Sequence, residues 1–417
     1  MSQTELLKNK EAILKVLPQH EITLKRLEKL ANKNALPVVT VMGKYNHGKS
    51  RLLNELIGDD LFAVADKRET KALHLAEHEG IAWIDAPGLD ADVQEIDDSH
   101  AEEALWVESD IRFLVHAAKE GELDASESKL LKTLNQDEQQ TKRQSLFVLT
   151  QIDQVSDDET MERITNSLNA QLGDSPIFPV SSVRHRRGVE QDIPIFIEKS
   201  GIPALQLHLQ QAVKKVNEYR TFEENNYFTQ LTNELIAKHQ FHTDKHVELK
   251  RVADEVEQNF INDLTAALEQ GAEDLQEIMK EPEIDHSLDP GSSNDLFRMS
   301  AGKSDRSRIQ IAYSRACLLI RSVLTKYGML YLSQDAQTGA SSLNTVMVAV
   351  MGVSVKFRPQ LRRMFGQASG REALLRDFKV YFDKSENRLL ALAEITTELT
   401  QITTIETAQQ VLAQWQE

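Results

Sequence analysis

The stretch GKYNHGKS has the composition and spacing of a phosphate-binding loop. Gly43 and Gly48 would allow backbone N–H groups to surround phosphate oxygens. Lys49 would reach the β- and γ-phosphates, and the Ser50 hydroxyl would bind magnesium. The preceding VVTVM predicts a β-strand, and SRLLNELIG predicts a helix whose positively polarised N-terminus faces the loop. This context favours a nucleotide site, with His47 and Arg51 as adjoining contacts, over a chance match in a turn.

Further candidates for magnesium follow the loop in sequence order. Thr70 lies in DKRETKA, a predicted loop where a threonine can close on magnesium and the γ-phosphate. Asp85 ends the predicted strand of WIDAPG, where a carboxylate can hold magnesium through water, and the Gly88 N–H can contact the γ-phosphate. Taken singly, Thr70 is an ordinary loop threonine and DAPG an ordinary β-turn. Their order along the chain favours the magnesium interpretation.

Two later strand ends carry residues suited to a base. The segment FVLTQID ends with Thr150, Gln151 and Asp153. A carboxylate at Asp153 can accept hydrogen bonds from the ring and amine of guanine, whereas adenine offers no amine at that edge. In PVSSV, backbone N–H groups at Ser181 and Ser182 can meet the guanine oxygen. Because ligands of such sheets bind at the carboxyl ends of the strands, these pieces predict one guanine-nucleotide site.

The chain divides into three predicted regions. Residues 1–36 have helical apolar spacing, and residues 37–217 alternate short β-rich runs with helical patterns. That alternation predicts an α/β domain with a mostly parallel sheet and helices on both faces. Residues 218–417 are almost entirely helical in pattern. We therefore expect an all-α bundle or stalk, built from the N-terminal segment and the C-terminal half.

Composition narrows the class of protein. The 417 residues carry a formal charge of −17, so the average surface repels nucleic acid. A single cysteine excludes an internal disulfide and favours a reducing compartment. The N-terminal segment lacks the apolar core of a signal peptide, and no run offers the roughly 20 apolar residues of a membrane span. We expect a cytoplasmic location, with peripheral association at the inner membrane as the alternative.

These motifs resemble those of the translation-factor-like class of P-loop GTPases. GKYNHGKS matches GxxxxGKS, DAPG matches DxxG, TQID stands in for [NT]KxD, and SSV stands in for the SAK loop. The resemblance implies GTP and GDP as ligands, magnesium as cofactor, and hydrolysis of GTP to GDP and phosphate. It assigns catalysis to Lys49, Ser50, Thr70, Gly88 and Asn46. Gln151 departs from the pattern, since it replaces a lysine whose stem covers the base.

Two details bear on how water would be activated. Leu89 follows Gly88 where Ras-like enzymes have a glutamine, and leucine cannot orient the attacking water. Asn46 occupies the position at which Era-like GTPases have an asparagine that holds potassium. A cation there would neutralise charge between the β- and γ-phosphates. The alternative is that Asn46 only shapes the loop.

A further resemblance, to bacterial dynamin-like and mitofusin-like proteins, rests on residues 110–134. There Leu123, Asp124, Ser126 and Glu127 match (L/F)(T/D)xSE before a helix. The order of N-terminal helix, GTPase domain and long helical C-terminus is also similar. The resemblance implies a homodimer through GTPase domains and a helical stalk whose tip touches membrane. The runner-up is an Era-like regulatory GTPase that binds RNA, a ribosomal particle or a protein. A third hypothesis is a nucleotide-gated adaptor without appreciable turnover.

The candidate tip is the region 298–376, which holds thirteen Lys or Arg residues against three acids, a net charge of +10. Within 341–365, an apolar run from Val346 to Val355 precedes a basic segment. The run suits a lipid interface and the basic residues suit anionic headgroups. The alternative is a buried element whose basic residues pair with acidic neighbours. RNA is the less favoured partner, because the C-terminal half shows no GxxG loop within strand–helix units.

Overall fold

The computed structural model describes residues 3–62, 74–86, 102–173, 175–289, 300–329 and 355–416. The chain forms two compact units. Unit 1 comprises Met1–Ala237 with Thr404–Glu417, and unit 2 comprises Lys238–Thr403. Of the predicted apolar run from Val346 to Val355, only Val355 belongs to the described residues.

Unit 1 contains every described strand. Its elements in chain order are α1 (Gln3–Val16), α2 (Glu21–Leu30), β1 (Val38–Met42), α3 (Lys49–Ile57), β2 (His74–His78), β3 (Ile81–Asp85), β4 (Ile111–Ala117), α4 (Ala125–Thr141), β5 (Gln144–Thr150), α5 (Asp158–Leu172), β6 (Ile177–Pro179), α6 (Ser182–Glu190), α7 (Pro194–Glu198) and the first part of α8 (Ile202–Asp274). The described part of unit 2 is helical. It continues α8 and adds α9 (Gln276–Met279), α10 (Ala301–Lys326), α11 (Arg358–Leu361), α12 (Ala368–Asp383) and most of α13 (Glu386–Gln416). The boundary expected between residues 217 and 218 falls inside α8.

The six strands form one sheet in the order β2-β3-β1-β4-β5-β6. Only the β2–β3 pair is antiparallel, so the predicted mostly parallel α/β class is confirmed. Two strands differ in extent from their sequence patterns. The pattern ALHLA gives a strand that starts at His74, and PIFPVSS gives only Ile177–Pro179, because Ser181 already caps the next helix.

Alternating strand residues build a core on each face of the sheet. On one face Val41, Val115 and Val148 pack with residues of α3 and α8. On the other face Leu114 and Leu149 pack with residues of α4 and α5. This alternation follows from the two-residue period of a strand, and both faces are buried because helices cover them. Helices on both faces of the sheet were predicted and are confirmed.

The N-terminal helices share a separate core with the ends of two long helices. This core in unit 1 combines residues of α1, of α2 and of the segment between them with the first half of α8 and the last turns of α13: Ile13, Leu17, Leu24, Leu27, Phe228, Leu231, Leu235, Ile405, Ala408 and Leu412. All ten side chains are buried. Burial of this size stabilises a helical bundle without any contribution from the sheet.

A cluster of buried charges, here called the arginine cluster, joins these helices to the sheet. Arg26 of α2 donates to Asp110, which precedes β4, at 2.9 Å and to Glu223 of α8 at 2.9 Å. Arg220 of α8 also pairs with Asp110. Burial alone would raise the pKa of Asp110, but Arg26 and Arg220 lower it below its usual value. The carboxylate therefore stays charged and paired.

The arginine cluster continues into helix α4. Arg143 pairs with Glu223 at 3.1 Å and with Asp137 at 2.9 Å. Arg112 of β4 pairs with Asp137 at 2.6 Å. Removing one partner from such a network leaves an uncompensated buried charge, which costs far more than an exposed pair is worth. The cluster thus fixes how α2, α4, β4 and α8 pack within unit 1.

Unit 2 has its own core, and part of the candidate tip belongs to it. Val355, Leu361 and Phe365 are almost fully buried in this core. Arg358 is also buried and pairs with Asp285 and with Asp305 at 3.0 Å. For the described part of 341–365, these contacts favour the buried alternative. Among the described residues, no helix is both long and apolar enough to cross a bilayer.

Several basic side chains of the candidate tip differ from Arg358, and those of Arg308, Arg315 and Arg321 on α10 are exposed. Lys356 and Arg363 are exposed, as is the neighbouring aromatic Phe357. Arg362 is half-buried and pairs with Glu281 at 2.8 Å. The basic surface that remains accessible is therefore smaller than the sequence suggests.

The variant Arg26→Ala tests the arginine cluster. We expect it to lower the free energy of unfolding of unit 1 by about 3–5 kcal/mol, because Asp110 and Glu223 lose a buried partner. All three tryptophans, Trp83, Trp106 and Trp415, lie in unit 1, so fluorescence during urea unfolding reports on this unit. The control Lys25→Ala removes an exposed pair with Glu21 and should cost about 0.5 kcal/mol or less. Equal effects of the two variants would contradict a structural role for the cluster.

Candidate nucleotide-binding site

The phosphate loop lies between β1 and α3 and presses against β4. Gly43 has φ 151°, and a Cβ added there would lie 2.2 Å from the carbonyl oxygen of Val115. Gly48 has φ 84° and immediately precedes helix α3. Only glycine accepts both the close approach at the first position and the left-handed backbone at the second. The two glycines of the sequence motif are thus required by geometry.

Lys49 lies across this loop. Its Nζ donates to the carbonyl oxygens of Gly43 and Lys44, both at 2.9 Å. Asn46 adopts a left-handed backbone with φ 61°, and its carbonyl oxygen accepts from Gln151 Nε2 at 2.6 Å. The loop therefore curls around the Lys49 ammonium group. Such curled glycine-rich loops direct successive N–H groups toward anions.

Two of the predicted magnesium ligands meet beside the loop. Ser50 Oγ donates to Asp85 Oδ2 at 2.5 Å. Strand pairing brings them together, because Asp85 ends β3 opposite Val41 of β1. A hydroxyl and a carboxylate oxygen are hard donors of the kind that magnesium prefers. The other predicted residues of this part of the site, Thr70 and Gly88 with the neighbouring Leu89, lie outside the described residues.

The predicted base-contacting residues lie at the ends of β5 and β6. Thr150 Oγ1 donates to the carbonyl oxygen of His47 at 2.6 Å, which ties the loop to β5. Asp153 Oδ1 accepts from Ser181 Oγ at 2.5 Å. Ser181 Oγ also accepts from the Arg184 N–H, so it caps helix α6, which begins at Ser182. The two predicted base-binding segments therefore meet through a direct hydrogen bond.

A cavity of about 580 Å³ lies between α3 and α6, next to these residues. Arg51 and Ser182 are among the residues that line it. On its wall, Glu55 accepts from His185 at 2.7 Å and from Arg186 at 2.6 Å. Burial would raise the pKa of Glu55, but these two hydrogen bonds lower it. Arg51 and Ser182, both predicted as nucleotide contacts, thus border one concave surface.

Residues that the sequence did not assign to the site lie directly behind the loop. Glu127 caps the first turn of α4 and is almost fully buried. Its Oε1 lies 2.9 Å from His116 Nδ1, and its Oε2 lies 3.4 Å from Lys44 Nζ. Asp124 and Glu127 form a capping box at the start of α4. Nothing in the sequence indicates the contacts of Glu127 with Lys44 and His116.

His47, His116 and Glu127 place potential metal-ligating atoms within 4.8 Å of one another. The hydrogen bonds of His116 argue against a metal there. Its Nε2 faces the carbonyl oxygen of Gly121 at 3.2 Å, and its Nδ1 faces the Glu127 carboxylate. Both ring nitrogens thus already face hydrogen-bond acceptors of the protein. Of the described residues, Ser50 and Asp85 form the better cation site.

Comparison with known proteins agrees with this geometry. The family model for the 50S ribosome-binding GTPase matches residues 38–151. The uncharacterized protein ACIAD1443 of Acinetobacter baylyi is 44% identical over 408 residues, which cover 97% of this chain and 96% of that protein. The chain belongs to the same family as that protein. Residues 38–151 form the core of a P-loop GTPase domain, which supports guanine-nucleotide binding.

More distant similarities are partial. GTPase Era of Bordetella pertussis is 25% identical over 179 residues, which cover 38% of this chain and 58% of Era. A solved structure described as an oligomerised bacterial dynamin pair is 16% identical. The alignment covers 98% of this chain and 76% of that one, with a TM-score of 0.38.

The variant Gly43→Ala tests the close approach of the loop to β4. A methyl group cannot lie 2.2 Å from the Val115 oxygen, so the loop must move and its N–H groups must lose their alignment. We expect affinity for GDP, measured by isothermal titration calorimetry, to fall at least about tenfold, or about 1.4 kcal/mol.

Gly58→Ala is the matched control for this variant. Gly58 also has a positive φ, 79°, but nothing lies within 4 Å of an added Cβ. It should cost about 1 kcal/mol of folding free energy and leave GDP affinity unchanged. Wild-type GDP affinity in Gly43→Ala would contradict the geometric argument.

Proposed function

We propose that this protein binds GTP with magnesium and hydrolyses it to GDP and phosphate. The 2.5 Å contact between Ser50 and Asp85 carries the proposal, because it joins two separate motifs at the mouth of the glycine loop. Lys49 and the loop N–H groups would hold the β- and γ-phosphates. Ser50, Thr70 and Asp85 would hold magnesium, which would supply positive charge to offset that of the phosphates.

Recognition of guanine is assigned to Asp153. Its carboxylate would accept from the guanine ring N–H and the exocyclic amine, while Ser181 Oγ orients it from the other side. Ser182 N–H, at the start of α6, would meet the guanine oxygen. Gln151 cannot cover the base as a lysine stem does, since its Nε2 is engaged by the Asn46 carbonyl. The base is therefore selected mainly by the carboxylate and by the α6 N-terminus.

Hydrolysis requires a positioned water molecule and stabilisation of charge on the transferred phosphoryl group. Leu89 offers no hydrogen bond to water, so Thr70 and the Gly88 N–H are the residues proposed to orient it. Asn46 is the proposed ligand for potassium, which would neutralise charge where other enzymes use an arginine. Asn46 has a left-handed backbone, with φ 61°.

We further propose that nucleotide state controls dimerisation through the GTPase domain and engagement of a membrane or partner by the helical region. Two contacts within unit 1 support this extension. The apolar core of α1, α2, α8 and α13 forms a helical bundle next to the sheet. The arginine cluster connects that bundle to β4 and α4. In unit 2, exposed basic residues of the candidate tip, among them Arg321, Lys356 and Arg363, would suit an anionic membrane surface.

An Era-like regulatory GTPase that binds RNA, a ribosomal particle or a protein is the second candidate. It is favoured by the description of the matching family model as a 50S ribosome-binding GTPase and by the partial similarity to Era. The two candidates share the same nucleotide chemistry and differ in dimerisation through the GTPase domain and in the partner of the helical region.

The variant Lys49→Ala tests the enzymatic proposal. Loss of the ammonium group should lower the turnover of GTP at least about 100-fold, because a charge that contacts the transferred phosphoryl group is removed. Phosphate release measures the rate. Lys132→Ala, an exposed lysine on α4, is the control and should retain wild-type turnover. Turnover that is indifferent to Lys49→Ala would refute the assignment.

Turnover in potassium and in sodium, with and without vesicles of anionic phospholipid, separates the remaining alternatives. We expect faster turnover of GTP in potassium than in sodium. Asn46→Gly should remove this difference, because glycine accepts φ 61° but lacks the side-chain amide oxygen. Cosedimentation with the vesicles and stimulation by them are expected for a membrane-acting protein. If neither occurs, membrane engagement is refuted. Stimulation by ribosomal RNA instead would favour the Era-like candidate.

A further inference from the structure

Two side chains of the phosphate loop point away from the expected phosphates and toward β4 and α4. Lys44 pairs with Asp124 and lies 3.4 Å from Glu127 Oε2. His47 is almost fully buried, and its Nδ1 lies 3.2 Å from the carbonyl oxygen of Val115. Neither residue type is required by the glycine-lysine-serine pattern. Their contacts therefore need an explanation separate from phosphate binding.

Glu127 is the centre of these contacts. One oxygen faces His116 Nδ1 at 2.9 Å, and the other accepts from the Asp124 N–H at 3.2 Å. The His47 ring meets the His116 ring edge-on, with centroids 5.2 Å apart. The Glu127 carboxylate thus contacts Lys44 directly and reaches His47 through the His116 ring.

Charge makes this arrangement rigid. Burial would raise the pKa of Glu127, but the hydrogen bond from His116, with help from Lys44, lowers it. Burial lowers the pKa of His47, which suits a neutral ring that donates one N–H to Val115. The Glu127 carboxylate is thus charged, buried and surrounded by donors. Removing its charge would leave the half-buried Lys44 and the buried His116 with a weaker partner.

We propose that Glu127 is a positioning residue for the phosphate loop. Through Lys44, and through His116 and His47, it holds the loop against β4 and α4 in the curled conformation that presents its N–H groups and Lys49 to phosphates. This inference rests on the proposed binding of guanine nucleotide. It assigns a role to Lys44, His116 and Glu127, none of which touches the nucleotide, and to the inward face of His47.

Glu127→Gln tests the proposal with the smallest change of shape. The amide oxygen can still accept from the Asp124 N–H, but the negative charge toward Lys44 and His116 is lost. We expect the dissociation constant for GDP and the KM for GTP to rise about tenfold, with kcat within about twofold of wild type. This pattern follows because a displaced loop weakens binding of ground state and transition state alike.

A second variant and a control keep the result interpretable. Lys44→Met retains the aliphatic stem and should also weaken GDP binding. In the double variant the two effects should be less than additive, because both changes break the same network. Glu120→Gln removes an exposed carboxylate close in sequence and should bind GDP as the wild type does.

The outcomes separate this inference from the proposed function. A wild-type protein that binds no GDP would refute nucleotide binding itself. A wild type that binds, together with a Glu127→Gln variant of unchanged GDP affinity, would overturn only the positioning role. Fully additive effects of Glu127→Gln and Lys44→Met would also overturn it. Tryptophan fluorescence, which reports on unit 1, shows whether each variant is folded under the assay conditions.

Discussion

The contact between the first glycine of the phosphate loop and strand β4 is the constraint on which the rest of the site depends. The loop can curl only because nothing larger than hydrogen stands between Gly43 and the Val115 carbonyl. The same Val115 carbonyl oxygen contacts His47 Nδ1. From β5, Thr150 Oγ1 donates a hydrogen bond to the His47 carbonyl oxygen of the loop. With the loop fixed on two strands, Lys49 and Ser50 at the start of α3 have little freedom. The pairing of β1 with β3 then brings Asp85 within hydrogen-bond distance of Ser50.

The nucleotide motifs could be predicted because each is local. A few neighbouring residues define the loop, the end of β3 and the end of β5, and parallel strands bring their carboxyl ends to one edge. The contacts of Glu127 could not be predicted in this way. They join the phosphate loop, β4 and α4, and Lys44 lies 83 positions from Glu127 in the chain. Such contacts depend on how the elements pack, which no short sequence pattern encodes.

In the helical half, the sequence predicts the helices but not the surroundings of their charged side chains. Charge counting in 298–376 predicts a basic surface, yet Arg358 is buried between two aspartates, and Arg362 reaches Glu281. A count along the sequence cannot detect such pairing, because Asp285 and Glu281 lie outside the counted range and Asp305 lies 53 positions from Arg358. Likewise, helical spacing predicts α8 and α13 as helices but cannot show that each contributes to two compact units. Sequence therefore specified the elements of this half better than their surroundings.

Helix α4 has an electrostatic anchor near each end. Near its first turn, Glu127 holds the phosphate loop, and near its last turn, Asp137 belongs to the arginine cluster with Arg112 and Arg143. A helix of 17 residues is about 25 Å long and keeps that length, because its hydrogen bonds run along the axis. If α4 moved as one body, the ion pairs at both of its ends would change together. By thermodynamic reciprocity, a partner that rearranges those ion pairs would alter the affinity of the loop for its nucleotide by the same factor.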